Sequence, residues 1–564
     1  MIPFPGGICA GMNEFQQMGK VRMQNKLMLL LAVAAPCARA FADFSCQTVD
    51  PLEWTYVDSK VGDRPAFVET DVPFGGVADA TVLFNGLQKG RPLTFSCSAP
   101  DAEWFEMVPV SVERNTGSDS FCMKAGEKCQ WAVRQAPYRV FEAMRPLGGA
   151  TFVPSAETHA LRFRLRRFAP KGGETNLVFH FAHAGKKAAL PFKVRVHGVR
   201  LTPVGKRSFK YTNWMNYEHI ATYHGLEPWS EAHYEMIARY ARLAAEGRQN
   251  CAVIPLRTVF GVKDDVPTLN EERLVRIVDL VTEAGIWWLE GWHICHFKGG
   301  FGGKECLAPF SKTVLGTTPQ GTEAIRRVAE QLMSAISRHG WQDRWLQHVA
   351  DEAGSVSAKE FRMTVGTVRR YMPGIRLVDA IVHSSAGAGT LDILCPTIDV
   401  WQNDRAAYDF LKTSCGNEVW CYTCCVPGGI WLNRTLDWHL LKPLYIFWNC
   451  SSFGLDGFLH WGFNKYQVGV DPFNPATKDK TVPPGDTHIV YPGTDGPWSG
   501  TRFEATRQGV EDYELLAVLK RRNPQMAAEL TRQLVRSFSD YTIDVPLYRR
   551  VRRELLTACG RREK

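Results

Sequence analysis

No stretch of this 564-residue chain is apolar for long enough to cross a bilayer as a helix once its N-terminal segment is set aside. Internal repeats and low-complexity tracts are also missing, which removes solenoid and propeller architectures. With 45% hydrophobic and 22% charged residues, the composition lacks any bias toward disorder or collagen. Charge of one sign is scarce as well. The formal net charge of +9 falls to +6 if residues 1–42 are removed, because Lys20, Arg22, Lys26 and Arg39 leave with only Glu14. The basic clusters at 162–167 and 549–553 alternate with apolar residues, as solvated strand and helix faces do, so nucleic-acid binding is not expected. What remains is a folded, soluble protein too long for one core, and two domains are expected.

The basic residues Lys20, Arg22 and Lys26 precede an apolar run at 27–35, and Ala-Arg-Ala at 38–40 or Ala-Phe-Ala at 40–42 follows. This is the layout of a secretory signal peptide, with an over-extended start before Met18 or Met23, and the protein is expected to be exported. Fourteen cysteines remain beyond it. Cys122 and Cys129 are spaced for a small disulfide loop. Cys421, Cys424 and Cys425 look like a metal fragment, but no second pair or histidine partner follows at zinc spacing, so packing is favoured and no metal or cofactor is expected.

Residues 43–205 hold short β-rich runs at 80–84, 106–112, 161–165, 175–181 and 192–197, separated by turn residues. They predict an antiparallel β-sandwich. From about Phe209 the period changes, and residues 206–564 alternate strands with amphipathic helices. Strands are predicted at 209–213, 251–255, 286–290, 345–352, 375–379, 393–400, 418–422 and 455–460, with helices at 230–246, 270–284 and 322–339 among the connections. Eight strands alternating with helices predict a (β/α)8 barrel, a TIM-type fold.

Asp351 and Glu352 then end the fourth strand, on the face where barrels carry their chemistry. A solvated acidic turn before a helix near Ser357 is the alternative on spacing alone. Successive strand side chains point to opposite faces, so both carboxylates reach one ligand only if the strand ends or twists there. The following Ala353-Gly354 favours such an ending.

Five segments in order, Trp-Leu-Gln-His-Val-Ala-Asp-Glu at 345–352, Val-Trp-Cys-Tyr-Thr-Cys-Cys at 419–425, Asp-Gly-Phe-Leu-His-Trp-Gly-Phe-Asn at 456–464, Gly-Asp-Thr-His-Ile-Val-Tyr-Pro-Gly at 485–493 and the charged stretch 502–514, carry a family likeness. Over about 209–525 the chain resembles the catalytic domain of glycoside hydrolase family 123, the β-N-acetylgalactosaminidases. That resemblance implies a substrate-assisted, retaining, exo-acting hydrolase of β-linked N-acetylgalactosamine on glycans or glycolipids. The sugar's own acetamido oxygen attacks the anomeric carbon, Glu352 is general acid and then base, and Asp351 orients the acetamido group. Two neighbouring carboxylates disfavour joint ionisation, which suits that division. The family often shows Ser-Asp-Glu-Pro, whereas Ala350 and Ala353 flank the pair here.

Around the pair, Trp461 is expected as a platform for the apolar face of a pyranose, or as barrel core. Asn464 is expected as a hydroxyl or amide partner. Tyr422 is a donor to the acetamido oxygen or a buried, satisfied tyrosine. His293, and more weakly His296, are sugar ligands or loop histidines. Asp486 binds hydroxyls or caps its Pro-Pro-Gly loop. The charges of 502–514 are expected to pair within a helix and fix it on the barrel. Two rival readings stand beside this one: a double displacement by Glu352 with Glu290 or Asp486 on sugars lacking an acetamido group, and a glycan-binding protein without turnover.

Overall fold

Period-two burial builds the N-terminal part. In the strand Lys186–Arg200, Phe192, Val194 and Val196 are buried between the half-exposed Lys193 and Arg195, so one face of the ribbon is apolar. The structure, a computed structural model, describes residues 44–561 apart from 119–120, 125, 169–171, 265, 301 and 475–481. The expected signal segment lies outside the described residues.

Two sheets face each other across a core of Phe84, Phe95, Trp104, Phe163, Phe179, Phe181 and Phe192. One holds Ser45–Val49, Ala78–Asn85, His159–Leu165, Glu103–Val112 and Tyr138–Pro146, and the other holds Glu69–Phe74, Lys186–Arg200, Gly173–His183, Leu93–Cys97 and Thr151–Phe152. The pairing is antiparallel except that Glu69–Phe74 runs parallel to Lys186–Arg200.

The eight barrel strands are β1 (Lys210–Asn213), β2 (Cys251–Ile254), β3 (Trp288–Gly291), β4 (Trp345–His348), β5 (Arg376–Ile381), β6 (Ile393–Pro396), β7 (Glu418–Thr423) and β8 (Gly457–His460). They pair in parallel in the order β1-β8-β7-β6-β5-β4-β3-β2. The ring closes where Asn250, just before β2, donates its N–H to the Tyr211 carbonyl and accepts the Tyr211 N–H on its side chain, both at 3.1 Å. Inside are Val253, Trp288, Leu346, Val378, Ile393, Trp420 and Leu459, a packed interior rather than a pore. Helices Glu231–Glu246, Glu271–Glu283 and Pro319–Arg338 start where Ser230, Asn270 and Thr318 accept a first-turn N–H on their side chains. An N-terminal β-sandwich followed by a TIM-type barrel is therefore the architecture.

Residues 43–564 form one compact unit. A strand from beyond β8, Pro497–Gly500, adds to the first sandwich sheet beside Tyr138–Pro146. The helix Thr501–Arg522 begins there. Its Arg502 is fully buried: Nε donates to Glu142 Oε1 of the sandwich at 2.8 Å, and the remaining guanidinium protons go to the carbonyls of Arg434, Gly485 and His488 and to the Tyr491 hydroxyl. Gly485, at φ +84°, passes so close that an added Cβ would meet Arg502 Nη1 at 2.4 Å.

Several local expectations are corrected. The clusters at 162–167 and 549–553 are not simply solvated faces: Arg162 pairs with Asp79, Arg164 with Glu504 and Arg552 with Asp512, all buried. Charge on the helix 501–522 pairs internally through Arg507 with Glu504 and Glu511, and also outward to the sandwich. Cys122 and Cys129 do not form a disulfide, because their thiols point to the carbonyls of Val482 and Thr116.

Removing one partner of a fully buried ion pair leaves an uncompensated charge. Glu142→Gln should therefore lower the unfolding free energy by about 3–5 kcal/mol, read from urea denaturation. A loss under about 1 kcal/mol would mean that the junction does not depend on this pair.

Candidate active site

The parallel ladder between β4 and β5 goes out of step at the top of the barrel. His348 pairs with Val378, but the next bridge joins Ala353 to Ile381, so β4 spends five residues where β5 spends three. The strand thus ends at His348 and not, as the periodicity predicts, at Glu352. Residues 349–352 bulge out of the ladder, and the chain rejoins β5 through the Glu352 N–H to the Ala380 carbonyl and the Val382 N–H to the Ala353 carbonyl, both at 3.0 Å. Glu352 sits at φ +56°, in the left-handed region. A non-glycine residue there costs on the order of 1 kcal/mol or more and persists only where its surroundings impose it. The kink breaks the strand alternation, and Asp351 and Glu352 both line one cleft.

That cleft, of about 930 Å³, lies at the C-terminal end of the strands. Trp214, Trp292, Tyr422 and Trp461 supply its aromatic walls, His293 and the carboxylate pair its floor, and Glu218, Arg257 and Lys465 further charge. Trp214 and Trp292 rings stand 4.8 Å apart. The Tyr422 hydroxyl donates to Glu352 Oε1 at 2.6 Å, and His293 Nε2 lies 3.6 Å from Asp351 Oδ1. An aromatic-walled cleft with a carboxylate pair at its base can hold a sugar ring and deliver a proton to it.

Residues 280–519 match the family model described as "Glycoside hydrolase 123, catalytic domain". That segment is similar to a glycoside hydrolase 123 catalytic domain. The matched segment contains Asp351, Glu352 and β3 to β8 and supports glycoside hydrolase chemistry. No curated protein matches the chain. Among solved structures, a family 123 glycoside hydrolase from Clostridium perfringens, described for glycolipid glycan hydrolysis, aligns with a TM-score of 0.69 at 11% identity over 92% of this chain and 97% of its own. That likeness concerns the fold alone. A β-glucuronidase from Parabacteroides merdae (TM-score 0.30, 8% identity, 80% of this chain and 49% of its own) and an endo-β-1,4-mannanase from Thermotoga petrophila (0.37, 13%, 55% and 78%) are more distant and carry no argument.

Within the matched segment, His293, Tyr422 and Trp461 line the cleft with the carboxylate pair, and so does the exposed His296. The Tyr422 hydroxyl is directed at Glu352 from within the cleft. Asn464 is elsewhere: fully buried, it exchanges two hydrogen bonds with the Asn216 backbone, at 2.7 and 3.0 Å, tying the β8 loop to the β1 loop. Asp486 is also off the cleft surface. Its Oδ2 accepts the Trp461 indole N–H at 3.1 Å and its Oδ1 faces His460 Nε2 at 3.3 Å, so it orients the platform instead of binding hydroxyls. Trp214 and Trp292 escaped the sequence reading, although each is a tryptophan just past a barrel strand.

Two chemical details complete the site. Burial first, and then the neighbouring Asp351 charge, push Glu352 up to about 7, while the Tyr422 hydrogen bond pulls the other way. Asp351 is also raised by burial, but the imidazole of His293 opposes this, and the charge that Glu352 senses is that of an Asp351 that has already ionised. Behind them His293, His348 and Asp379 bring ligand atoms within 4.8 Å of one another, the arrangement among the described residues that could hold a metal ion. Both His348 nitrogens are already directed at carboxylates, Asp379 at 3.2 Å and Glu290 at 3.3 Å. Burial would lower the His348 pKa, yet those two partners outweigh it and raise it to about 9, so the group is an imidazolium at neutral pH. Of the three cysteines for which packing is expected rather than a metal, Cys421 faces Cys450 in the interior, and Cys424 and Cys425 line the cleft.

A carboxyl whose pKa is higher folded than unfolded binds more protons in the native state, so it makes stability fall as pH rises from about 4.5 to about 7. Glu352→Gln removes that dependence. Its melting temperature should exceed that of the wild type by a margin that opens across this window and is constant above it. Equal melting temperatures at pH 5 and pH 8 would contradict the raised pKa.

Proposed function

We propose that the cleft hydrolyses terminal β-linked N-acetylgalactosamine from glycans or glycolipids, with retention, using the substrate's acetamido group as nucleophile. The observation that carries the reading is the adjacent pair itself: Glu352 pushed up to about 7 beside an ionised Asp351, both lining one aromatic cleft. The match to the family model supports glycosidase chemistry, and the resemblance of the motifs supports the sugar. The C. perfringens structure's description of glycolipid glycan hydrolysis supports the aglycone class.

In the first step the acetamido oxygen bonds to the anomeric carbon as the glycosidic C–O bond breaks, and the proton of Glu352 passes to the departing oxygen. Asp351 offsets the positive charge on the cyclised acetamido group. In the second step water adds to the anomeric carbon, Glu352 takes its proton, and the acetamido group reopens. One water is consumed and the β configuration is kept. Trp461, held by Asp486, offers the apolar face of the ring a flat partner.

The rival double displacement is less well served. Glu290 does not line the cleft: it is fully buried and engaged by Trp214 Nε1 at 3.2 Å and by His348. Asp486 holds Trp461. Glu218 does line the cleft, with Oε1 accepting the Thr258 hydroxyl at 2.8 Å. The same reading takes residues 1–42 as an export signal, which N-terminal sequencing of protein from the culture or periplasm tests.

An aryl β-N-acetylgalactosaminide should be cleaved and the matching aryl galactoside should not. A galactosamine-thiazoline, which mimics the cyclised intermediate, should inhibit far better than N-acetylgalactosamine. Equal inhibition by the two, or a fluorosugar trapped on a carboxylate, would overturn the mechanism.

Glu352→Gln should cost on the order of 10²–10⁴ in kcat/KM on natural glycans and much less on activated aryl glycosides, whose leaving groups need no proton. Asp351→Asn should slow both kinds alike. A silent Asp351→Asn would reverse the assignment of roles.

A further inference from the structure

The offset between β4 and β5 strands two main-chain donors. In an unbroken parallel ladder the amides of Val349 and Ala350 would find main-chain acceptors, one on β5 and the other on β3, but the bulge carries both away from the ladder. Buried N–H groups without acceptors cost on the order of 1–3 kcal/mol each, so a bulge with no substitute acceptor would fall back into the ladder. The side chain of Asp379 supplies one. Its Oδ2 accepts both N–H groups, from Val349 at 3.0 Å and from Ala350 at 2.8 Å. On the opposite side the Val349 carbonyl accepts the Cys295 N–H at 2.8 Å. The segment that leads into Asp351 and Glu352 is therefore gripped from both sides, by β5 and by the loop after β3.

The other oxygen of Asp379 faces two imidazoles. His348 Nδ1 lies 3.2 Å away, and His293 Nε2, which also faces Asp351, lies 3.3 Å away. His348 continues to Glu290, whose Oε2 also accepts the Trp214 indole N–H. Glu290, His348 and Asp379 are wholly buried. An alternating row of carboxylates and imidazoles thus runs from the barrel interior to the cleft floor. Buried ionisable groups are tolerated only when paired and hydrogen-bonded, and here each carboxylate is matched to an imidazole and each imidazole to a carboxylate.

We propose that Asp379 is the positioning residue of this active site: its carboxylate replaces the missing ladder acceptors, holds the bulge that turns Asp351 and Glu352 into one cleft, and is itself locked by His348 and Glu290. The inference rests on the reading of Asp351 and Glu352 as the reacting pair. Asp379 touches no substrate. It acts on both carboxylates at once, so its loss has a different signature from the loss of either.

Asp379→Asn keeps the shape and one acceptor oxygen but cannot accept from a histidine with its amide nitrogen. It should lower kcat about 100-fold on activated and natural substrates equally, with KM changed less than threefold. The thiazoline mimic should bind at least tenfold more weakly, while N-acetylgalactosamine binds as before. A merely structural role, in which fewer molecules fold, would leave the thiazoline inhibition constant where it was, and that result would overturn the proposal. His348→Gln leaves the two amide bonds to Oδ2 in place and should give a smaller loss of the same pattern; a loss confined to natural substrates would contradict it.

A readout independent of turnover separates this proposal from the functional reading. Hydrogen exchange of the peptide covering 345–354 should quicken at least tenfold in Asp379→Asn and stay near wild type in Glu352→Gln. If wild-type protein cleaves no galactosaminide but the exchange pattern holds, the functional reading fails and the positioning role stands. Unchanged exchange with wild-type activity would sink the positioning role alone. Stoichiometric zinc in purified protein, lost in Asp379→Asn and required for turnover, would assign the three side chains to a metal instead and overturn the proposal.

Discussion

The active site depends on a mismatch of two residues between neighbouring strands. Between the pairs His348–Val378 and Ala353–Ile381, one strand must accommodate a surplus that a parallel ladder cannot absorb in plane. The surplus is pushed into the mouth of the barrel, with Glu352 in a left-handed conformation. Two adjacent residues of a regular strand would point to opposite faces. Only the kink allows Asp351 and Glu352 to share a cleft, and sharing it sets their chemistry, because each charge then opposes ionisation of the other.

The barrel can carry such a distortion because the rest of the fold is over-determined. Its interior is filled, three of its helices start on side-chain caps at Ser230, Asn270 and Thr318, and a chain segment beyond β8 returns to extend a sandwich sheet. Arg502 spends its donors on Glu142, on three carbonyls and on a tyrosine hydroxyl at that junction. Buried charge of this kind is tolerated where the partners are complete, and it ties the sandwich to the strands that support the cleft. The sandwich therefore contributes to the site through rigidity; none of its described residues lines the cleft.

Much of this was legible from residue order. Runs of apolar residues alternating with amphipathic helices located all eight barrel strands, because burial on both faces leaves a strong local signal. The Asp-Glu pair stood out for its place after an apolar segment. The roles of Asn464 and Asp486 were not legible, since a polar residue in a loop near a site looks the same whether it faces ligand or neighbouring backbone. Register between strands leaves no local trace either, so the bulge and the amides that Asp379 satisfies were hidden. A hint did exist: Asp379 is a carboxylate among the apolar residues Leu377, Val378, Ala380 and Ile381 of a buried strand, where such a group needs a specific partner. The proposed Cys122–Cys129 loop shows the opposite error, in which proximity in sequence stood in for geometry.

The central claim is that Glu352 holds its proton near neutral pH because it is half-buried in the cleft beside an ionised Asp351. Isotope-edited infrared or carbon NMR titration of the labelled Glu352 carboxyl measures this without any substrate. The account predicts a midpoint near 7 that drops clearly in Asp351→Asn, where the neighbouring charge is gone. A midpoint in the ordinary glutamate range of about 4.3, unmoved by Asp351→Asn, would contradict it.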